Sequence, residues 1–365
     1  MGAMTGNTAL LVLGMHRSGT SAVTRVLNLL GAALPNRLVP PGPGNVLGHW
    51  EPVELVALHE TMLEAAGSHV YGLFDIAPEW FGSAAAVAFA RELAALIRRN
   101  YAEAPLIVVK DPRLALLVPV WQQALALLNI TPRYVLPFRD PRAVAASLRR
   151  RESRHEGAAL WPPERGMLLW LRYVLAAERA TRGSPRAFLS FDALLADWPA
   201  ELARLALQLG LSWPRGEAEM GREITAFLNR RERHEAVSRL DAWPDTVLPQ
   251  IPEVYRALAT AVAVPESGRR VFDAAAVPLA AGADMMRVYV NALEAEVRRL
   301  RPVQYQVEAV LGSRSWRLTA PLRALRRLLP QAPPPAPGQR MPDQRMPDIA
   351  VPAPIPHDAA PQPAH

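Results

Sequence analysis

Six residues able to hold an anion fall within the eight positions of GMHRSGTS: Gly14, Arg17, Ser18, Gly19, Thr20 and Ser21. Glycines at 14 and 19 permit a tight backbone turn, and the amides from Arg17 to Ser21 can converge as a nest. A helical pattern starts near Thr20, so its positive end adds to the cradle. Three hydroxyls add donors, and Arg17 adds a fixed charge. The segment departs from the nucleotide-triphosphate pattern G-x-x-x-x-G-K-[ST] at one place, where Thr20 stands for the lysine. Such a loop suits a terminal phosphate that bears another anionic group.

Lysine occurs once in the chain. Of 41 basic residues only Lys110 is not arginine, and it ends the apolar run PLIVVK. An ammonium is a compact point charge that can rest on a single oxygen, unlike the planar guanidinium fork. A third group lies in FRDPRAVAASL, where Arg139 and Ser147 stand a little over two helical turns apart. They can share a helix face and form a second phosphate site.

The elements that must position these groups alternate. Apolar runs TALLVLG, PLIVVK, RYVLPF and RAFLSF are each followed by a helical pattern, which predicts parallel strands joined by helical crossovers. Gly31 is expected to close the first helix, Asp140 and Pro141 to open another, Asp192 to cap the next and Gly210 to end the last. Ligands of such sheets bind at the carboxyl ends of strands. Segment 14–21, Lys110 and Arg139 all fall at such ends. The expected fold class is therefore α/β with a central parallel sheet over residues 1–260.

With 365 residues, half of them apolar, the chain can bury a large core. It has no cysteine, which excludes disulfides and thiolate metal sites. No apolar run approaches the roughly 20 residues that span a bilayer, and the run at 9–13 is too short for the core of a signal peptide. A cytoplasmic protein is expected, and the net charge of +7 favours anionic partners.

Beyond 260 the character changes. Val288, Val290, Leu293, Val297 and Leu300 recur at loose heptad spacing, which predicts a helical arm over 261–329. Within it, Leu318, Leu322, Leu325 and Leu329 form one stripe beside Trp316, and Arg317, Arg323, Arg326 and Arg327 spread over the rest. A basic amphipathic segment at 313–329 suits the inner face of a membrane, a partner protein or packing on its own domain. Residues 330–365 are Pro-rich, carry a tandem QRMPD repeat and are expected to be disordered.

In order and spacing, GMHRSGTS, VVKDPRL, YVLPFRDPRAVAASL and FLSFDALLADWPAELARLALQLGL resemble the motifs of sulfotransferases that use 3′-phosphoadenosine 5′-phosphosulfate (PAPS), over about residues 8–235. The resemblance implies a three-layer, P-loop NTPase-like fold and transfer of a sulfuryl group to an acceptor hydroxyl or amine. It implies that Arg17, Ser18, Gly19, Thr20 and Ser21 hold the 5′-phosphosulfate and that Arg139 and Ser147 hold the 3′-phosphate, with no metal. Arg17 and Lys110 would neutralise the charge that develops during transfer. Glu51, in GHWEP, would take the acceptor proton. His49 and Asp111 are alternatives for that role, since Pro112 occupies the place where small-phenol members carry histidine.

Phe191 and Asp192 stand where the family often has Tyr-Glu-Asp, and the resemblance makes them architectural. FLNRRERH, at 227–234, is either a solvated charged face or a source of further arginines near the cofactor. The segment SRSWRLTAPLRAL resembles a tail of bacterial glycosyltransferases, which points to a glycan pathway and makes a saccharide or glycolipid one candidate acceptor beside lipid, peptide and small-metabolite acceptors, all of which stay open; nucleic acid is not an expected partner. Two other readings stay open, a kinase-like nucleotide enzyme and a non-catalytic, glycosyltransferase-associated adaptor.

Overall fold

The computed structural model describes residues 7–42, 45, 47–101, 104–156, 161–234, 243 and 246–321. The chain divides into two compact units, Met1–Arg299 and Leu300–His365. The first contains strands β1 (Thr8–Val12), β2 (Leu106–Lys110), β3 (Thr131–Phe138) and β4 (Arg186–Ser190), all parallel in the order β2-β1-β3-β4. Each coincides with one of the four apolar runs. β1 is buried at every position, as a central parallel strand covered on both faces must be.

Helices α1 (Thr20–Leu29), α2 (Val53–Ala65) and α3 (Ala84–Tyr101) lie between β1 and β2. A 3-10 turn, Pro112–Leu116, and α4 (Val118–Ala126) lead to β3, and α5 (Pro141–Glu156) and α6 (Pro163–Ala180) lead to β4. After β4 come α7 (Phe191–Ala196), α8 (Trp198–Leu209), α9 (Glu217–His234), α10 (Gln250–Ala261) and α11 (Arg269–Gly312). Successive strand residues face opposite ways. Leu11, Val109 and Leu136 pack against the layer built from α2 to α6, α10 and the start of α11, whereas Val12, Val108 and Val135 pack against α1, α7, α8 and α9. These are the three layers expected of the fold.

Local signals explain most of the ends. Gly31 adopts φ 102° just past α1 and Gly210 caps α8 at φ 60°, both in the left-handed region where glycine is favoured. Pro141 opens α5, and Asp140 Oδ1 accepts the Arg142 amide at 2.8 Å. The Asp192 cap is corrected: β4 runs directly into α7, so its last residue, Ser190, accepts the Ala193 amide at 3.3 Å, and Asp192 falls in the first turn. Asp197 caps α8.

Residues 261–299 belong to the first unit. Arg186, at the start of β4, donates to the Pro265 carbonyl at 2.9 Å, Arg204 donates to the Val262 carbonyl at 2.9 Å, and Phe272 of α11 stacks on Phe188. In the second unit the rest of α11 is followed by α12 (Arg314–Leu318). The Pro-rich segment and most of the basic stripe lie outside the described residues. Among the described residues no helix is long and apolar enough to cross a membrane.

A buried polar network fixes the chain just beyond Lys110. Trp121 Nε1 donates to His59 Nε2 at 2.9 Å, which leaves the ring proton on Nδ1 to donate to Asp111 Oδ2 at 2.8 Å. Asp111 Oδ1 accepts the Arg113 amide at 3.0 Å, capping the 3-10 turn, and the Arg113 guanidinium at 2.8 Å. Burial alone would push the Asp111 carboxyl up. The His59 hydrogen bond and Arg113 outweigh it and hold the group well below the usual carboxylate range. His59→Ala strands a buried donor and a buried carboxylate, and should lower the unfolding free energy by about 2–4 kcal/mol in urea titrations. Because folding depresses the Asp111 pKa, its contribution is complete above about pH 4 and is lost as pH falls. Asp111→Asn should flatten that acid limb; an unchanged pH–stability curve would sink the assignment.

Candidate active site

Val12 pairs in register with Lys110 on one side and Val135 on the other, so the loop after β1, Lys110 and the end of β3 emerge along one edge. The loop backbone is unusual. Arg17 adopts φ 71°, a left-handed conformation that costs a non-glycine residue energy and concentrates at functional sites. Gly19 adopts φ 85°, and a Cβ there would lie 2.2 Å from the Phe191 ring. At Gly14 a Cβ would lie 2.9 Å from the Pro137 carbonyl of β3.

Gly19 is also the cap of α1, which has no side-chain cap and no acidic residue in its first turn. Its first amides and positive dipole end are thus left for a ligand. The buried Ser18 Oγ meets no hydrogen-bond partner among the described residues, so the cradle has a donor to spare.

The two expected phosphate sites are joined by a side chain. Arg17 Nε donates to Ser147 Oγ at 2.7 Å, spanning from the loop to α5. Arg139 is buried at the end of β3 with its guanidinium 5.5 Å from the centroid of Phe191. Ser147 Oγ thus accepts from the loop arginine, and Phe191 packs beneath both Gly19 and Arg139. Phe227 and Leu228 are buried in the second core, and the side chains of 230–234 lie outside the described residues.

Lys110, only 3% exposed, forms an ion pair with the buried Glu51. Its Nζ also reaches Ser21 Oγ at 3.2 Å and the His49 carbonyl at 3.3 Å. Ser21 Oγ accepts from Asn45 Nδ2 at 3.1 Å and donates to that carbonyl at 3.2 Å. Segment 47–51 turns over the loop through two left-handed residues, Gly48 and Trp50, and Arg25 of α1 rests on the Trp50 ring at 4.9 Å. Asn45 carries no motif that could have revealed it. Asp111, an alternative base in sequence, has both oxygens engaged in the capping network.

Two imidazoles flank the cations. Burial pushes the His16 ring well below its usual pKa, and Arg151, Arg113 and Lys110 push the same way against Asp111. For His49 burial again dominates; Glu51 pulls it up, while Lys110, Arg151 and Arg17 push it down. Both rings are neutral at neutral pH, so the fixed positive charge near the loop comes from Arg17, Lys110, Arg139 and Arg151.

A scan against models of known protein families and a search of curated proteins gave no match. Solved structures gave similarities. A sulfotransferase domain from the curacin biosynthetic pathway is 15% identical with a TM-score of 0.39, covering 70% of this chain and 99% of that one. A sulfotransferase domain from the Synechococcus PCC 7002 olefin synthase is 18% identical with a TM-score of 0.37, covering 70% and 98%. A sulfotransferase from Mycobacterium avium is 16% identical with a TM-score of 0.31, covering 64% and 69%.

The Gly19–Phe191 approach is directly testable. Gly19→Ala adds a Cβ where the ring already lies and asks alanine to be left-handed, so the unfolding free energy should fall by about 1–3 kcal/mol. Adding Phe191→Ala removes the steric part, and the double variant should fall short of the summed losses by about 1 kcal/mol. Strict additivity in denaturant titrations would mean that Phe191 does not dictate glycine here.

Proposed function

We propose that the chain is a sulfotransferase that takes a sulfuryl group from PAPS and passes it to a hydroxyl or amine of an acceptor, with a saccharide or glycolipid as the favoured class. The observation that carries this reading is one sheet edge shared by three groups: a phosphate loop with Thr20 in place of the lysine, a buried Lys110, and Arg139 with Ser147. The Arg17–Ser147 hydrogen bond joins the first to the last. A donor with two separate anionic ends and no β/γ-phosphates fits that edge. The open end of α1 and the unused Ser18 hydroxyl suit the phosphosulfate, and Arg139 with Ser147 suits the 3′-phosphate.

When bound, the donor supplies an activated sulfuryl group; the protein supplies position and charge. Arg17 is held in its left-handed turn with its guanidinium directed across the edge. Lys110 is held at Nζ between Glu51 and Ser21 Oγ, so its ammonium can turn from the carboxylate toward the loop as negative charge builds there. Such a turn frees Glu51 Oε1 to accept the acceptor proton. A single ion pair would thereby serve both halves of the transfer.

Binding of adenosine 3′,5′-bisphosphate tests the nucleotide site. Arg139→Ala should weaken it by about tenfold or more while leaving adenosine 5′-monophosphate, which lacks the 3′-phosphate, nearly unaffected. Equal losses would refute the role of Arg139. Mg²⁺-dependent stabilisation by ATP alone would favour the kinase-like reading, and no binding of either nucleotide would favour the adaptor.

With labelled PAPS and extracts fractionated by chemical class as acceptors, Lys110→Ala should cut turnover by roughly a hundredfold with product-nucleotide affinity kept. Lys110→Arg should remain impaired, because a planar fork cannot present the same point charge. Glu51→Gln should lower turnover and flatten the acid limb of the pH–rate profile. Full activity in either of the last two variants removes the corresponding role.

A further inference from the structure

A second concavity, of about 460 Å³, opens between loop 73–81, the 3-10 turn Pro112–Leu116, α6 and α11. None of its walls belongs to segment 14–21, to Lys110 or to α5. Its size lies within the range of small-molecule sites, and its walls explain why it exists. Protein interiors are close-packed and leave few voids larger than a water molecule. Here α6 contributes Ala176 and Ala180, and α11 contributes Ala280 and Ala283. Both helices offer only a methyl group at these positions, where larger side chains would close the gap. Leu73, Ile76, Leu116 and Leu279 make the remainder of the lining strongly apolar.

Among the described residues, the charged groups of this cavity are few and unbalanced: Arg172, Arg179 and Asp75. Arg172 is buried and fixed, donating to Ser68 Oγ at 2.9 Å and to the Gly72 carbonyl, with its Nε 3.8 Å from Asp75. Two turns further along α6, Arg179 pairs with Asp75, and both side chains are about half exposed. An ion pair so open to water is held weakly, so Arg179 can exchange Asp75 for another anion. Among the described side chains, two cations against one carboxylate leave the lining net positive beside an apolar chamber.

We propose that this cavity binds a single-chain amphiphile, with its hydrocarbon chain between α6 and α11 and its anionic head on Arg179. The apolar walls select the chain, and the excess positive charge selects the sign of the head. The inference does not rest on the sulfotransferase reading, because no residue is shared with the nucleotide edge.

Calorimetric titration of the full chain with dodecanoate, dodecanol and dodecyltrimethylammonium, each below its micellar concentration, tests it. Dodecanoate should bind about tenfold or more tightly than dodecanol, with the ammonium weakest. Ala176→Phe fills the chamber and should weaken dodecanoate by about tenfold or more, whereas Arg179→Glu should abolish the preference for an anionic head. If Ala176→Phe fails to fold, Ala280→Phe fills the same space from α11 and carries the same expectation. Indifference to the head group, or unchanged affinity in the filled variant, overturns the proposal. Adenosine 3′,5′-bisphosphate titrated into the same variants should bind as it does to the parent chain, so a failure of the nucleotide reading is seen separately.

Discussion

The ammonium of Lys110 is the constraint around which the sheet edge is organised. An isolated charge withdrawn from water costs several kcal/mol, so it persists only where partners surround it. The partners come from two separate parts of the chain: Glu51 and the His49 carbonyl from the segment after α1, and Ser21 from the first turn of α1. For these to meet, β2 must pair with β1 in the observed register, and segment 47–51 must fold back over the loop. The left-handed turns at Gly48 and Trp50 make that return possible. The backbone of a long connection is therefore dictated by one side-chain charge.

Phe191 plays the complementary part on the other side of the loop. It is fully buried in the core beneath the sheet's second face, yet it touches the glycine that caps α1 and lies under the Arg139 guanidinium. A ring in that position sets the height of the loop and the place of a buried cation at once. The same aromatic face that excludes water also favours a guanidinium above it.

Much of this was legible in the sequence, and the reasons are physical. Central parallel strands are apolar on both faces, so TALLV and LIVVK stand out as runs, and a loop that bends at two glycines before a helix has few alternatives. Strand ends then place Gly14–Ser21, Lys110 and Arg139 together without any further information. What stayed hidden depends on tertiary contact. Nothing in the spacing of His59, Asp111 and Trp121 announces a buried network. Asn45 has no pattern around it, and the bond from Arg17 to Ser147 turns on a loop conformation that sequence does not encode locally. The cap of α7 was misread for a related reason: the strand and the helix share Ser190, leaving no separate capping position.

The partners of the loop also set when it can exist. Arg17 finds Ser147 130 positions further along the chain, and Gly19 finds Phe191 only once β4 has ended. Non-local contacts of this kind form late, after the entropy of closing long loops has been met. During synthesis, at about 5–20 residues per second, the segment that would cradle the anion leaves the ribosome on the order of ten seconds before the ring that supports it. An anion can therefore stabilise the finished sheet edge but has nothing to bind while that edge is being built, and the order of assembly must come from the strands alone.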